Sequence, residues 1–454
     1  MKIKRTQSSL TRRQFLKTAA ATGAVVAAGA PYAKTSYSAG KLAVGLWDHW
    51  VPGANDVSRA IIMEWGKKNN VEMTVDYITS IGQKQELTIA AESRARTGHD
   101  VMDLPTWQTA LYADTFEPLD DVVAEQIKRH GELAPTAEFL GKIEGVWRSA
   151  PGPIGGHSYP MVSRLDYFKR YAGVDLRKIF PNSPNRDARL VDEWNYDNFL
   201  VHCQKLFKAG HAFGNPIGPT SDSQDWLCPL FASFGAYPMD AKGEITIDTD
   251  ATRMALEYMK KLTAAMPPDV YAWDDAGNNR WLVSGKGSAI QNPPSAWTVA
   301  KRDRPEVAAQ IWHHDVPKGP KGRHRGALPR HMGVWNFANN KSAAKDLILH
   351  MLDKDSAYRL ITASQGYDIP QTIAYRKHPI WVDIGPPKGG QYNYPLRGDE
   401  TIMVGGFPAP PRMAALIYTQ ALIPTLVAKV TAGGESMDSA IKWAINELEG
   451  YQRA

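Results

Sequence analysis

The alternation of strand and helix between Lys41 and Leu104 restricts the fold more than any other feature of this chain. Lys41–Trp47 alternates and is apolar, as a first strand should be. A helix starting near Asn55 places Val57, Ala60, Ile61, Met63 and Trp65 on its buried face. Val71–Ile78 is a second strand, Gln83–Ala95 a second helix, and Asp100–Leu104 a short third strand that ends at Pro105-Thr106-Trp107. This β-α-β-α-β order predicts a parallel sheet, because each helix carries the chain back to the same end. Open sheets of this kind bind ligands off the carboxyl ends of their strands. Trp47, His49, Trp50, Asp103 and Trp107 sit at those ends and are candidate ligand-binding residues.

The rest of the chain reads as a second lobe and a return. Gly141–Arg164, rich in Gly and Pro, is a candidate first crossover, and a helix over Tyr167–Gly173 continues it. Asp192–Lys208 is a helix entered through Trp194, and Gln224–Phe234 is an apolar stretch holding Trp226. Thr249–Ala265 is amphipathic, with Ala251, Met254, Ala255, Tyr258 and Leu262 along one side. An apolar strand near Ile290 ends at Gln291-Asn292-Pro293-Pro294-Ser295-Ala296-Trp297, which adds Asn292 and Trp297 to the candidates. Lys318–Arg330 is a basic loop and the expected return crossover. It leads into a strand carrying Arg330, His331 and Trp335, then a helix through Leu352 with Ser342 as its N-cap. A second helix near Ser356–Ala363 exits through Gly366 and Pro370. Gly385–Pro411 reads as long loops, and Met413–Lys429 and Met437–Leu448 as closing helices.

The formal charge of +6 is misleading. Residues 1–40 hold Lys2, Lys4, Arg5, Arg12, Arg13, Lys17 and Lys34 and no acid. Without those seven, the 53 basic residues fall to 46 against 47 acidic, a net of −1. A near-neutral mature chain has no electrostatic case for binding nucleic acid. Thr11-Arg12-Arg13-Gln14-Phe15-Leu16-Lys17 matches the twin-arginine export signal. The Ala/Val/Gly run from Ala19 to Ala30 is too short and weakly apolar for a stable membrane span, so it reads as a removable segment. The expected address is a Gram-negative periplasm, with cleavage after Ala30 or Ser38.

No Gly-x-Ser-x-Gly, His-Glu-x-x-His or dinucleotide motif is present, and the scattered acids nominate no glycosidase pair. His313-His314-Asp315 with His324 and His331 could be drawn together as metal ligands, but adjacent His residues on a strand face opposite ways. No metal and no cofactor is expected. Cys203 and Cys228 could be bonded or be two separate thiols. The 14 Trp carry more information. A sugar ring has an apolar face that an indole covers and a polar rim that Asp, Asn, His or Arg bonds. One Trp burying ~150–250 Å² contributes a gross ~4–6 kcal/mol, and micromolar binding needs about 8 kcal/mol net. Trp47, Trp50, Trp107 and Trp297 rank first because each follows a strand; Trp226 and Trp335 rank lower. If Arg330 and His331 face the cleft, an anionic ligand such as a sugar acid fits; otherwise they belong to a solvated basic loop.

Several stretches resemble one family. Asn339-Asn340-Lys341-Ser342 followed by Ala343–Leu352, the run Phe234–Leu262, and Ser284-Gly285-Lys286-Gly287-Ser288-Ala289-Ile290 are similar to the extracellular solute-binding proteins of ABC importers, the group that binds sugars and polyols. Gly98-His99-Asp100-Val101 and Phe116-Glu117-Pro118-Leu119-Asp120-Asp121 fit its opening. The resemblance covers most of residues 41–450 and implies an α/β, two-lobe periplasmic-binding-protein fold, with parallel or mixed sheets flanked by helices and a hinge between the lobes. It implies a receptor, not an enzyme, that acts as a monomer, holds a sugar, polyol or related small solute in the cleft, and delivers it to an inner-membrane ABC permease. The organisation expected is a signal peptide over 1–40, a first lobe over 41–155, a second lobe over 156–322, a hinge return with more of the first lobe over 323–368, and second-lobe closing loops and helices over 369–454. The twin-arginine leader and the long Gly385–Pro411 segment depart from the family pattern. The alternatives are a secreted carbohydrate-active enzyme, which requires a close carboxylate pair, and a receptor for an anionic sugar derivative or a peptide.

Overall fold

The computed structural model describes Tyr32 and residues 40–181, 185–383 and 401–453. The leader apart from Tyr32 and Gly40, and residues 385–400 of the expected long loops, lie outside the described residues.

β1 (Gly40–Trp47), α1 (Pro52–Asn69), β2 (Val71–Ile78), α2 (Lys84–Ala95) and β3 (Val101–Leu104) follow in the order the alternation predicts. β1 lies between β2 and β3 and is parallel to both, with Trp47 opposite Ile78 and Val44 opposite Val101. α1 starts earlier than expected, because Pro52 supplies a preset φ where its missing N–H costs nothing.

The Pro- and Gly-rich crossover is itself a strand. β4 (Ala150–Tyr159) is followed by β5 (Met161–Arg164), β6 (Ala289–Gln291), β7 (Ile311–His314), β8 (His324–Val334) and β9 (Thr401–Met403). β4 and β8 pair antiparallel, Ala150 opposite Met332 and Tyr159 opposite Gly326. Among the described residues β4 has no second partner, so Pro151 and Pro153 lie on a sheet edge, where proline breaks no ladder. β8 also pairs antiparallel with β3, and its first residues pair parallel with β9. The sheet order is β9–β8–β3–β1–β2, with β4 on β8. A second sheet has β5 between β6 and β7, all antiparallel.

The second lobe is mostly helical. α3 (Tyr196–Lys208) is shorter than the expected helix: the Asn195 side chain accepts from Asn198 N and starts it afresh after a separate turn at Ala188–Glu193. α4 (Ser221–Phe234) opens on a Thr220/Ser223 capping box, and α5 (Asp250–Thr263) on Thr249. α6 (Ser295–Asp303) follows β6. α7 (Lys341–Leu352) has Asn340 at its N-cap, so Ser342 lies inside the first turn and not at the expected cap. α8 (Lys354–Ala363) follows. The closing helix expected over Met413–Lys429 is two, α9 (Pro411–Thr419) and α10 (Leu422–Thr431), broken where Ala421 takes φ +52°; α11 (Met437–Arg453) ends the described chain.

Each lobe has its own core. Leu42, Val44, Ile61, Trp65, Val334 and Leu347 fill the first. Trp194, Phe199, Trp226, Leu256, Leu422 and Leu448 belong to the larger second. β4 and β8 enter both: Ala150, Ile154, Met332 and Val334 pack in the first core, Tyr159 and Ala327 in the second. The two strands form a ribbon joining the lobes. A third link runs alongside, where Ile369 N donates to Gly155 O.

Candidate ligand-binding site

Between the lobes, against the ribbon, lies a cavity of about 440 Å³, within the ~300–1,000 Å³ usual for small-molecule sites. Trp47 and Trp50 after β1, Glu86 and Leu87 on α2, and Gln108 and Tyr112 after β3 form the first-lobe wall. Gly155, Leu328, Arg330 and Tyr367 form the floor. Asp222, Asp275, Asn279, Asn292 and the end of α9 from Tyr418 form the facing wall.

Sheet register explains the floor. Asp103 lies opposite Met332 and Leu104 opposite His331, so Arg330 emerges at the carboxyl end of β3. Its Nε lies 2.8 Å and one Nη 2.7 Å from Asp103 Oδ2, and the same Nη donates to Gln85 Oε1 at 2.6 Å. The guanidinium carbon sits 4.8 Å over the Trp47 ring. Asp103 is fully buried and also accepts from Trp47 N at 3.2 Å, so it orients two cavity residues from behind.

His49 has a similar supporting place. Its Nδ1 accepts from Val51 N at 2.8 Å, which leaves the proton on Nε2, 3.2 Å from Asp368 Oδ1. The same oxygen accepts from Gly155 N at 2.7 Å. The His49 ring lies 4.6 Å from that of Trp47. Gly155 has φ +108°, and a Cβ there would meet Leu328 O at 2.8 Å, so the floor requires glycine.

On the facing wall, Asp222 Oδ2 accepts from Asn278 Nδ2 at 2.8 Å, and Asp275 Oδ1 accepts from Asp222 N and Ser221 Oγ at 3.2 Å each. Asn292 donates to Asn279 Oδ1 at 2.6 Å. Burial pushes the Asp222 carboxyl well above the usual carboxylate range, and the nearby Asp275 charge adds to it. Burial likewise raises Asp275, against hydrogen bonds from Asp222 N and Ser221. Glu86 is raised by burial, lowered by Arg330 and raised again by Asp275.

The structure thus brings Trp47, Trp50, Asn292 and Arg330 to the cavity, with His49 and Asp103 behind it. The remaining candidates lie elsewhere. Trp107 turns into the second core and donates to Gly405 O at 2.6 Å. Trp226 is buried in that core, with its Nε1 on Pro216 O at 2.8 Å. Trp297 packs with Val162, Ile290 and Trp381. His331 bonds Ser149 Oγ at 2.9 Å, and burial lowers it to about 3. Trp335 stacks on Phe116 at 4.3 Å and donates to Glu92. His314 bonds Ser163 Oγ at 2.9 Å inside the second lobe. Among the described residues no group of three His, Cys, Asp or Glu is placed to hold a metal ion. Cys203 and Cys228 are buried and free.

Sequence reasoning missed Glu86, Asp222, Asp275, Tyr367 and Tyr418. The Thr220–Ser223 capping pattern was a signal that a helix opens at Ser221, with Asp222 in its first turn. Tyr418 had none, since only tertiary packing brings α9 to the cavity.

Residues 60–383 match the model of the bacterial extracellular solute-binding protein family, and residues 9–29 that of the twin-arginine translocation signal sequence. No curated protein matches the chain. Among solved structures, the maltose-bound MalE3 of T. maritima is 18% identical with a TM-score of 0.71, over 90% of this chain and 99% of that one. A sugar transporter of Arthrobacter chlorophenolicus with bound laminaribiose is 14% identical at 0.71, over 90% and 99%. The GacH receptor of Streptomyces glaucescens, solved unliganded and with acarbose, is 18% identical at 0.67, over 92% and 98%.

Proposed function

The chain belongs to the bacterial extracellular solute-binding protein family, and on that premise we propose that it is the periplasmic receptor of an ABC importer, taking a sugar or polyol into the inter-lobe cavity and passing it to the permease. It acts as a monomer and releases its solute unaltered. The observation that carries this reading is the cavity itself: the Trp47 and Trp50 rings on one wall face hydrogen-bonding side chains on the other, with a two-strand ribbon beneath. That division suits a sugar, whose C–H face stacks on indole while its hydroxyls bond the opposite wall. Solved structures of similar fold hold maltose, laminaribiose and acarbose. Closure about β4 and β8 is a hinge motion, and a ligand that touches both walls favours the closed state.

The test is a thermal-shift screen of sugars, polyols and sugar acids on the mature chain, followed by calorimetric titration of each hit and chromatography of the recovered solute. A saturable stoichiometric hit recovered intact is expected. Conversion of the solute on incubation would end the receptor reading and favour the enzyme.

A further inference from the structure

The cavity's charges do not balance. Glu86 approaches it from the first lobe, and Asp222 and Asp275 from the second. The one cation among the described lining residues, Arg330, is already held by Asp103 and Gln85. Glu86 and Asp275 lie on opposite walls, and the Asp275 charge reaches Glu86 across the space and raises it, against the lowering by Arg330. Closing the lobes therefore brings like charges together in a partly dehydrated site, which disfavours closure unless something positive enters.

The hydrogen-bonding groups are one-sided as well. Glu86 Oε2 has no donor in the protein, and neither has the side-chain oxygen of Gln108, a residue only 3% exposed. Asn292, which has donors to offer, spends them on Asn278 and Asn279. Around Glu86 and Gln108 the cavity presents acceptors without a partner, and its three carboxyl groups outnumber its one cation. Among the described residues no acidic trio has metal-binding geometry, so the missing charge fits a cation carried on the solute.

We propose that the solute is an amino sugar, whose protonated amine enters between Glu86 of the first lobe and Asp222 and Asp275 of the second while its ring lies against Trp47 and Trp50. This deepens the sugar-receptor reading and rests on it. The amine supplies a donor to the unpartnered acceptors and a charge that balances the carboxyl groups, so it ties the two walls together. A neutral sugar of the same ring leaves Glu86 facing Asp275 uncompensated, and a sugar acid adds to the repulsion.

The test titrates the mature chain at neutral pH with matched probes: glucosamine against glucose and N-acetylglucosamine, and the glucosamine disaccharide against cellobiose and glucuronic acid. At least one amine is expected to bind about tenfold or more tighter than its neutral partner. Glu86→Gln and Asp275→Asn, each confirmed folded by its own unfolding transition, are expected to bring that ratio close to one. If neutral sugars bind as tightly as the amines, or if both variants keep the preference, the amino-sugar assignment is overturned and the sugar receptor stands. If no probe of either kind binds, the assignment is overturned, and the sugar-receptor reading is weakened with it. Tight binding of calcium or magnesium chloride alone would also overturn it, by placing the cation on a metal.

Discussion

His49 Nε2 and Asp368 Oδ1 are 3.2 Å apart with both side chains almost fully enclosed, and the same oxygen takes the Gly155 amide at 2.7 Å. One carboxylate thereby joins the loop leaving β1, the ribbon strand β4 and the segment returning from α8. Asp368→Ala strands two buried donors, an N–H of His49 and the backbone N–H of Gly155. The expected loss is about 1–3 kcal/mol, read as a lower denaturant midpoint with an unchanged slope. Asp368→Asn keeps one acceptor oxygen and should lose less. Equal midpoints for wild type and Asp368→Ala would remove the joint from the account.

Arg330 and Asp103 form a second buried joint, and its two halves depend on each other. Arg330→Met leaves the fully buried Asp103 without its cation, with an expected cost of about 3–5 kcal/mol. Adding Asp103→Asn removes the stranded charge. The double variant should therefore be more stable than the sum of the single losses predicts, and equilibrium unfolding of all four proteins measures the coupling. Strict additivity would contradict the pairing.

Of the two cavity indoles, Trp50 is the less buried and packs only against the edge of the small Trp47, Val51 and Tyr367 cluster. It lines the cavity and is only partly buried. Trp50→Ala is expected to weaken binding of the solute about tenfold or more, about 1.4 kcal/mol, with little change in melting temperature. Trp226→Phe, inside the second core, should do the reverse: a lower melting temperature and an unchanged dissociation constant. Calorimetry on the two variants separates the roles.

What the sequence made legible followed its periodicity. The first sheet with α1 and α2 lay open because apolar strands and helices alternate there, and α5 because an amphipathic period follows the Thr249 cap. The ribbon strand β4 did not, since Pro151, Pro153 and its glycines read as loop until the partner strand β8 is known. The same limit governs the site. Trp47 and Trp50 could be placed from the end of β1 alone, whereas Trp107 at the end of β3 swings into the second core to reach Gly405, a contact 298 positions away. Tyr418 reaches the cavity through helix packing and Asp275 from a turn, neither with a local pattern, while the Thr220/Ser223 capping box was the one local trace of Asp222.

The raised carboxyls predict how the empty receptor responds to pH. Asp275 holds its proton more tightly folded than unfolded, mainly through burial. Its contribution to stability is therefore fully present below its unfolded value of about 3.9 and is lost as pH rises through the higher folded value. His314 and His331, lowered by burial to about 3, act in the opposite sense and lose stability as pH falls from about 6.5 toward 3. Wild type alone shows both trends together. Asp275→Asn removes the first and keeps the second. It also relieves Asp222, which the Asp275 charge helps to raise. The melting temperature of Asp275→Asn minus that of wild type, measured without ligand, should therefore climb from pH 4 to pH 7.5. A flat or falling difference would mean that Asp275 is not buried against the cavity as described, and the charge imbalance behind the amino-sugar assignment would lose one of its three carboxyls.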